Sequence, residues 1–280
     1  MTFSMKLFRF SFGTYSRALP AKAAQKAVGL MTSPRISEEK RNAVRAQFNY
    51  STALKRGGTL SVYGQGSKSI LLLHGWSGWV GQFSDLLNQL DPAEYTILAV
   101  NPMGHGDSYA NESHPGRFIE AVLDTYEFIG KNIDVAIGHS LGSAALVYVQ
   151  AVKQCFNRLA LVSGPASIEG VLNRFASFLD LGESSRDIFI RKMEGKVGLT
   201  IDQLDLVKLA PSIKQPVLLF HDRDDREIPA SDSHELDKAF PRSRLVETRE
   251  NGHNRILKDD IVITEILEFL GPVQEVRKAS

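Results

Sequence analysis

Cysteine is almost absent from this 280-residue chain: Cys155 stands alone, so no intrachain disulfide can form and a packed core must hold the fold. Long apolar runs are lacking too. The longest, such as Ile70–Leu73 and Val217–Phe220, have the length of strands, far below the roughly 18 residues that span a bilayer. Neither sign of charge is in excess, since 33 basic and 32 acidic residues leave a formal net charge of +1. This argues against nucleic acid as a partner, which would require a clustered basic surplus. What is present, 43% hydrophobic and 23% charged residues, is the balance of a soluble globular chain able to bury a sizeable core. The single thiol fits a reducing compartment, and a cytoplasmic location is expected.

One absence is local. The first 37 residues hold Lys6, Arg9, Arg17, Lys22, Lys26 and Arg35 but no acid before Glu38. A secretory signal needs an uninterrupted apolar stretch of about 7–15 residues, and Lys6, Arg9 and Arg17 interrupt this one. Three readings stay open: a helical arm packed on the main domain, which is preferred; a weak membrane-surface contact through residues 1–37, with Leu7, Phe8, Phe10 and Phe12 as its apolar side; and a cleaved targeting segment. The arm is expected to occupy 1–56, with a short tail at 272–280.

From Gly57 onward, short β-type runs alternate with helical patterns, the signature of a mostly parallel sheet covered by helices on both faces. Ser69–His74 reads SILLLH, a continuous apolar run suited to a strand buried on both sides. Phe83, Leu86, Leu87 and Leu90 recur at helical spacing. Further strands are expected at Thr59–Tyr63, Thr96–Val100, Asp134–Ile137, Arg158–Val162, Pro216–Phe220 and Arg244–Glu247. The expected core is thus 57–164 and 212–271. Between them, 165–211 loses the strand–helix rhythm and reads as helices with Phe175, Phe178, Leu179, Leu181 and Phe189. An insertion of that size is usually functional, and a small helical lid is expected.

The strongest chemical signal is Gly138-His139-Ser140-Leu141-Gly142, a G-x-S-x-G placed between an expected strand and an expected helix. Only small neighbours let strand and helix approach closely enough to hold a serine on so sharp a turn. A serine hydroxyl needs a base held by a third group. His253 lies in a loop after the last strand, and His221-Asp222-Arg223-Asp224-Asp225 follows a strand end with three candidate acids. Chemistry belongs at that carboxyl edge of a parallel sheet. A metal site built from the three aspartates has no further oxygen-rich pattern to support it, and none is expected.

Taken together these residues resemble the α/β-hydrolase superfamily over about residues 57–271. Leu71-Leu72-Leu73-His74-Gly75-Trp76 looks like its oxyanion loop, Gly104-His105-Gly106-Asp107-Ser108 like its G-H-G-x-S turn, Gly138–Gly142 like its nucleophile elbow, and His221–Pro229 like its acid loop. Among its members the chain looks most like a bacterial group with an N-terminal arm, an HGW loop and an HDRDDREIP-like loop.

The resemblance implies an α/β-hydrolase fold and a catalytic triad of Ser140, Asp225 and His253, with Trp76 and Leu141 offering backbone N–H groups to an oxyanion. It leaves Asp222 and Asp224 as turn and surface residues. His74 and His105 would brace the loops, and His114 and His234 would lie at the surface. Trp76, Trp79, His139, Phe175 and Phe178 are the candidate substrate-binding residues. For His139, at the variable elbow position, a purely structural role is also open. The expected activity is that of a carboxylesterase-like serine hydrolase acting on a small-molecule acyl substrate, without cofactor or metal. Thioester, amide or C–C cleavage by the same triad, or a silent ligand-binding homologue, are the alternatives. Oligomeric state is left open.

Overall fold

The computed structural model describes residues 3–40, 48, 50–108 and 110–271. The expected tail at 272–280 and residues 41–47 of the expected arm lie outside them. Eight strands form one sheet in the order β1-β2-β4-β3-β5-β6-β7-β8. They are β1 (Tyr50–Ala53), β2 (Gly58–Tyr63), β3 (Lys68–Leu73), β4 (Tyr95–Pro102), β5 (Val135–His139), β6 (Leu159–Val162), β7 (Val217–Asp222) and β8 (Ser243–Thr248). From β4 to β8 every pairing is parallel, while β1–β2 and β2–β4 are antiparallel. β1 corrects the reading of 1–56 as helical. Its four residues are largely solvent-facing, so no apolar alternation marks them, and β2 supplies their order by pairing.

Alternation along β3 shows why its run is continuously apolar. Leu71 and Leu73 face one buried cluster, whereas Ile70 and Leu72 face the other. Helices α4 (Pro115–Ile129) and α5 (Leu141–Lys153) cover the first face. The second is covered by α11 (Asp260–Leu270) and by Val80, Phe83, Leu86, Leu87 and Leu90. The helix expected around Phe83–Leu90 is shorter than its pattern, a 3₁₀ turn at Val80–Phe83 followed by the one-turn α3 (Ser84–Leu87). All four expected apolar positions are nevertheless buried.

After β4 the chain crosses to the far side of β3 to form β5. The strand order therefore reverses between β3 and β5, which opens a crevice at their carboxyl ends. Over it stand the helices of 165–211, chiefly α6 (Ile168–Phe178) and α7 (Glu183–Val197), with the one-turn α8 (Leu206–Leu209) returning towards the sheet. Ser167 caps α6 by accepting from the Gly170 N–H at 3.1 Å.

Helices α1 (Phe3–Ala18) and α2 (Pro20–Met31) pack on α7. Ala23, Ala24 and Ala27 are fully buried, and such small side chains let α2 approach closely. Ser16 staples the join, with Oγ accepting from the Gly182 N–H at 2.9 Å and its carbonyl accepting from Ser185 Oγ at 2.7 Å. The arm thus sits on the cap as well as on the body. Among the described residues no helix is long and apolar enough to cross a membrane. The remaining elements are α9 (Ala230–Ala239) and α10 (Gly252–Arg255).

Candidate active site

Ser140 sits between β5 and α5 with φ 53° and ψ −120°, a conformation that side chains rarely adopt. Its neighbours make that turn possible. A Cβ on Gly142 would lie 2.2 Å from the Leu73 carbonyl oxygen, and one on Gly138 would lie 2.7 Å from the Ser143 nitrogen. No side chain fits either place. The turn is tied down from both sides: the Ser140 N–H donates to the Val162 carbonyl at 2.8 Å, and Ser143 Oγ donates to that of Gly138 at 2.8 Å.

Ser140 Oγ lies 2.9 Å from His253 Nε2, and His253 Nδ1 lies 2.7 Å from Asp225 Oδ2. The structure therefore brings together three residues separated by up to 113 positions. His253 follows Gly252 in the single turn of α10, and its backbone carbonyl accepts from His139 Nε2 at 2.8 Å. With that proton on Nε2, His139 is neutral, and burial followed by the adjacent His253 pushes its pKa down to about 3. His139 is a backbone prop for His253. It does not line the cavity described below, contrary to its expected place beside the substrate; its ring packs 4.9 Å from that of His253 instead.

The Asp225 carboxylate is fully buried. Burial alone would raise its pKa. Hydrogen bonds from His221 and His253, the charge of His253 and the Ile228 N–H outweigh burial and hold it well below the usual carboxylate range. Its Oδ1 accepts from the N–H groups of Glu227 at 2.8 Å and Ile228 at 3.0 Å. His221 lies 3.4 Å from Oδ2 and is itself fixed by Ser233 Oγ at 2.6 Å and the Ile228 carbonyl at 3.0 Å. Such a carboxylate stays charged and can fix one tautomer of the imidazole that faces it.

Asp222 is not the surface residue that sequence reasoning expected. It is buried at the end of β7 and accepts from Asp224 N–H at 2.9 Å, Thr248 Oγ1 at 2.7 Å and Asn251 N–H at 3.1 Å. Asp224 adds a bond from the Glu250 N–H at 2.9 Å. Together they clamp the acid loop to the loop that carries His253. The signal was present in the sequence, since Asp222 directly continues an apolar strand.

On the opposite wall, the loop after β3 brings Gly75 against Ser140, where a Cβ would lie 2.8 Å from that of Ser140. Leu141 is the first residue of α5, so its N–H has no acceptor within the helix. Trp76 is held by His105 and Phe118, at ring separations of 5.1 and 6.4 Å. His105 also accepts from the Ser77 N–H at 3.0 Å. His74 is buried beneath, its pKa pushed down to about 4 by burial. His114, expected at the surface, is likewise buried, while His234 is exposed and lies beside Glu247. Cys155 is buried, which raises its thiol pKa to about 11. A thiol so protonated and enclosed is a poor nucleophile.

Ser140, Leu141, Trp76 and His253 open into a cavity of about 640 Å³. Its cap wall is Ile168, Leu172, Phe175 and Phe178 from α6, and its floor edge is Arg226, Glu227 and Ile228 of the acid loop. Trp79, an expected substrate-binding residue, is not in the wall. Its ring lies against Gly81, where a Cβ would fall 2.2 Å from the indole, and it packs on the opposite sheet face with Phe83. Conversely Leu30 and Met31, from the end of α2, do line the cavity. Sequence reasoning missed them because nothing local tells an arm where it will dock. Among the described residues no group of three or more His, Cys, Asp or Glu side chains is arranged to hold a metal.

Residues 70–263 match the model of the alpha/beta hydrolase family. A search of the curated proteins gives no match. Among solved structures the chain is similar to a monoacylglycerol lipase from Paleococcus ferrophilus, at 19% identity and a TM-score of 0.61, over 76% of this chain and 98% of that one. It is similar also to the enol-lactonase of Burkholderia xenovorans LB400, at 18% identity and a TM-score of 0.60, over 79% and 99%. A third is Est1E from Butyrivibrio proteoclasticus with ferulic acid bound, at 16% identity and a TM-score of 0.59, over 76% and 94%. At these identities the likeness is one of fold.

Proposed function

The chain belongs to the alpha/beta hydrolase family, and from that premise we propose that it is a serine hydrolase cleaving carboxylic esters with an apolar acyl group through an acyl-enzyme. One observation carries the reading. Ser140, His253 and Asp225 form a continuous hydrogen-bonded relay, 2.9 and 2.7 Å per link, whose serine end opens into a largely apolar cavity. Neighbours in fold described as esterase, monoacylglycerol lipase and enol-lactonase agree with it.

In this mechanism His253 Nε2 takes the Ser140 proton as Oγ attacks the ester carbonyl carbon. The carbonyl oxygen becomes an oxyanion, met by the Leu141 and Trp76 N–H groups. His253 then returns the proton to the leaving alkoxide, and the acyl group stays on Ser140. Water, deprotonated by the same imidazole, attacks the acyl carbon and releases the acid, restoring Ser140. Asp225 remains ionised throughout and stabilises the imidazolium. No cofactor enters these steps.

The test is turnover of p-nitrophenyl esters from acetate to palmitate by the wild type and Ser140→Ala. A single peak in chain length and a loss of at least about 10³-fold in the variant is expected. Equal residual turnover in both proteins would remove Ser140 as nucleophile. Absence of turnover in both, combined with labelling of Ser140 by a fluorophosphonate, would favour thioester or amide substrates instead.

A further inference from the structure

Residues 1–37 carry six basic side chains and no acidic one. Ten large hydrophobic side chains are exposed among the described residues, and five of them, Leu7, Phe8, Phe10, Leu19 and Leu30, belong to this segment. Helix α1 turns Phe12, Gly13 and Ser16 inward. Leu7 and Phe10, three residues apart and therefore on one face, point the other way and are 55% and 72% exposed.

This surface adjoins the mouth of the catalytic cavity. Arg9 donates to the Ser177 carbonyl at 3.1 Å, and Arg17 pairs with Asp180 at 3.1 Å, so α1 brackets Phe178 between them. Phe178 from α6 and Leu30 from α2 both line the cavity while remaining 43% and 41% exposed. Greasy side chains set among lysines and arginines are poorly suited to water alone. They suit an anionic lipid surface, where the apolar groups enter the headgroup boundary and the cations meet negative charge.

We propose that α1, the end of α2 and the end of α6 form a docking surface that seats the mouth of the cavity on an anionic lipid layer, so that acyl substrate enters from the lipid phase. The nature of the substrate rests on the ester-hydrolase reading above; the docking itself does not.

The test is co-sedimentation of the full chain with phosphatidylcholine vesicles and with vesicles containing about one-third phosphatidylglycerol. Wild type and Ser140→Ala should both bind the anionic vesicles about tenfold better and lose this at about 0.5 M salt. Leu7→Glu/Phe10→Glu should bind about tenfold less while turning over a soluble short ester at the wild-type rate, which also shows that it has folded. Lys6→Ala/Lys22→Ala should lose the salt-sensitive part alone. Binding to neither vesicle, equal binding to both without a salt response, or binding undiminished in both double variants would overturn the proposal. So would a wild-type dimer in sedimentation that Leu7→Glu/Phe10→Glu dissociates, since the face would then join two copies of the chain. An inactive protein that still binds anionic vesicles would leave the docking intact and remove only the ester-hydrolase reading.

Discussion

The carboxyl edge of the sheet and the helical cover above it are held by different forces. At the edge, buried carboxylates accept several bonds each: Asp225 from His253 and two backbone N–H groups, Asp222 from Thr248, Asp224 and Asn251. A buried charge survives only when satisfied in this way, and losing one donor leaves a costly orphan. The cover is joined to its arm by small-residue packing, the Ser16 staple and an exposed ion pair. Arg17–Asp180, with its side chains 58% and 44% exposed, is worth about 0–1 kcal/mol. The edge is therefore built to keep angles fixed. The cover presents a surface and a wall, and none of the relay's hydrogen bonds described above comes from it.

If the contrast is sound, the largest single effect lies at the edge. Asp225→Asn keeps the shape of the carboxyl group but removes its charge and offers an N–H where His253 Nδ1 needs an acceptor. Turnover of a butyrate ester should fall by about four orders of magnitude with KM little changed. A fall below about tenfold would mean that another group orients His253, and the relay would have to be redrawn.

The edge also sets an acid limit on stability. His74 and His139 are buried neutral, with pKa values depressed from 6.5 to about 4 and about 3. In the unfolded chain both take up protons near 6.5, so between that pH and 4 the unfolded state binds more protons than the folded one. Stability must then fall as pH drops through this window, by up to about 1.4 kcal/mol per pH unit for each imidazole. Asp225, depressed in its folded pKa, adds a further loss once pH falls into the ordinary carboxylate range, where the unfolded chain protonates it and the folded one does not. Urea midpoints at pH 7, 6 and 5 measure the slope, and His139→Gln should flatten it. A midpoint constant across that range would contradict the burial of these rings as neutral groups.

How much of this was legible in the sequence follows the same division. The edge is written locally. SILLLH has the length and continuity of a strand buried on both faces, G-x-S-x-G between a strand and a helix reads as a sharp turn, and strand ends place Asp225 and His253 near it. Where reading failed there, the cause was a side chain whose direction depends on packing. Trp79 folds back over Gly81, and His139 turns to hold the His253 carbonyl. Asp222 faces Thr248, a partner 26 residues away. The cover is written non-locally. Its helices were evident from spacing, but their partners were not, because an amphipathic face states that something covers it without stating what. So Leu30 and Met31 gave no sign that they would line the cavity into which Ser140 opens, and β1, short and solvent-facing, gave no periodic signal at all.

The smallest effect expected is the one that links the two regions. Met31 lines the cavity from the arm, and its side chain is only partly buried against the core. Exchanging it for phenylalanine replaces a flexible thioether by a rigid ring of greater bulk at the wall. An acetate ester, whose acyl group occupies only the space next to Ser140, should be turned over at close to the wild-type rate. A long acyl group must pass that wall, and discrimination of one methylene in an apolar pocket is worth about 1–3 kcal/mol. Because Met31 can yield where a core residue cannot, the lower part of that range applies. The ratio of decanoate to acetate turnover, measured as kcat/KM, should fall about five- to tenfold in Met31→Phe. An equal drop on both esters would instead mean that the arm supports the elbow, and the division between a fixed edge and a shaping cover would not hold. An unchanged ratio would place the long acyl group along α6, against Phe175 and Phe178, and leave the arm to its outer face alone.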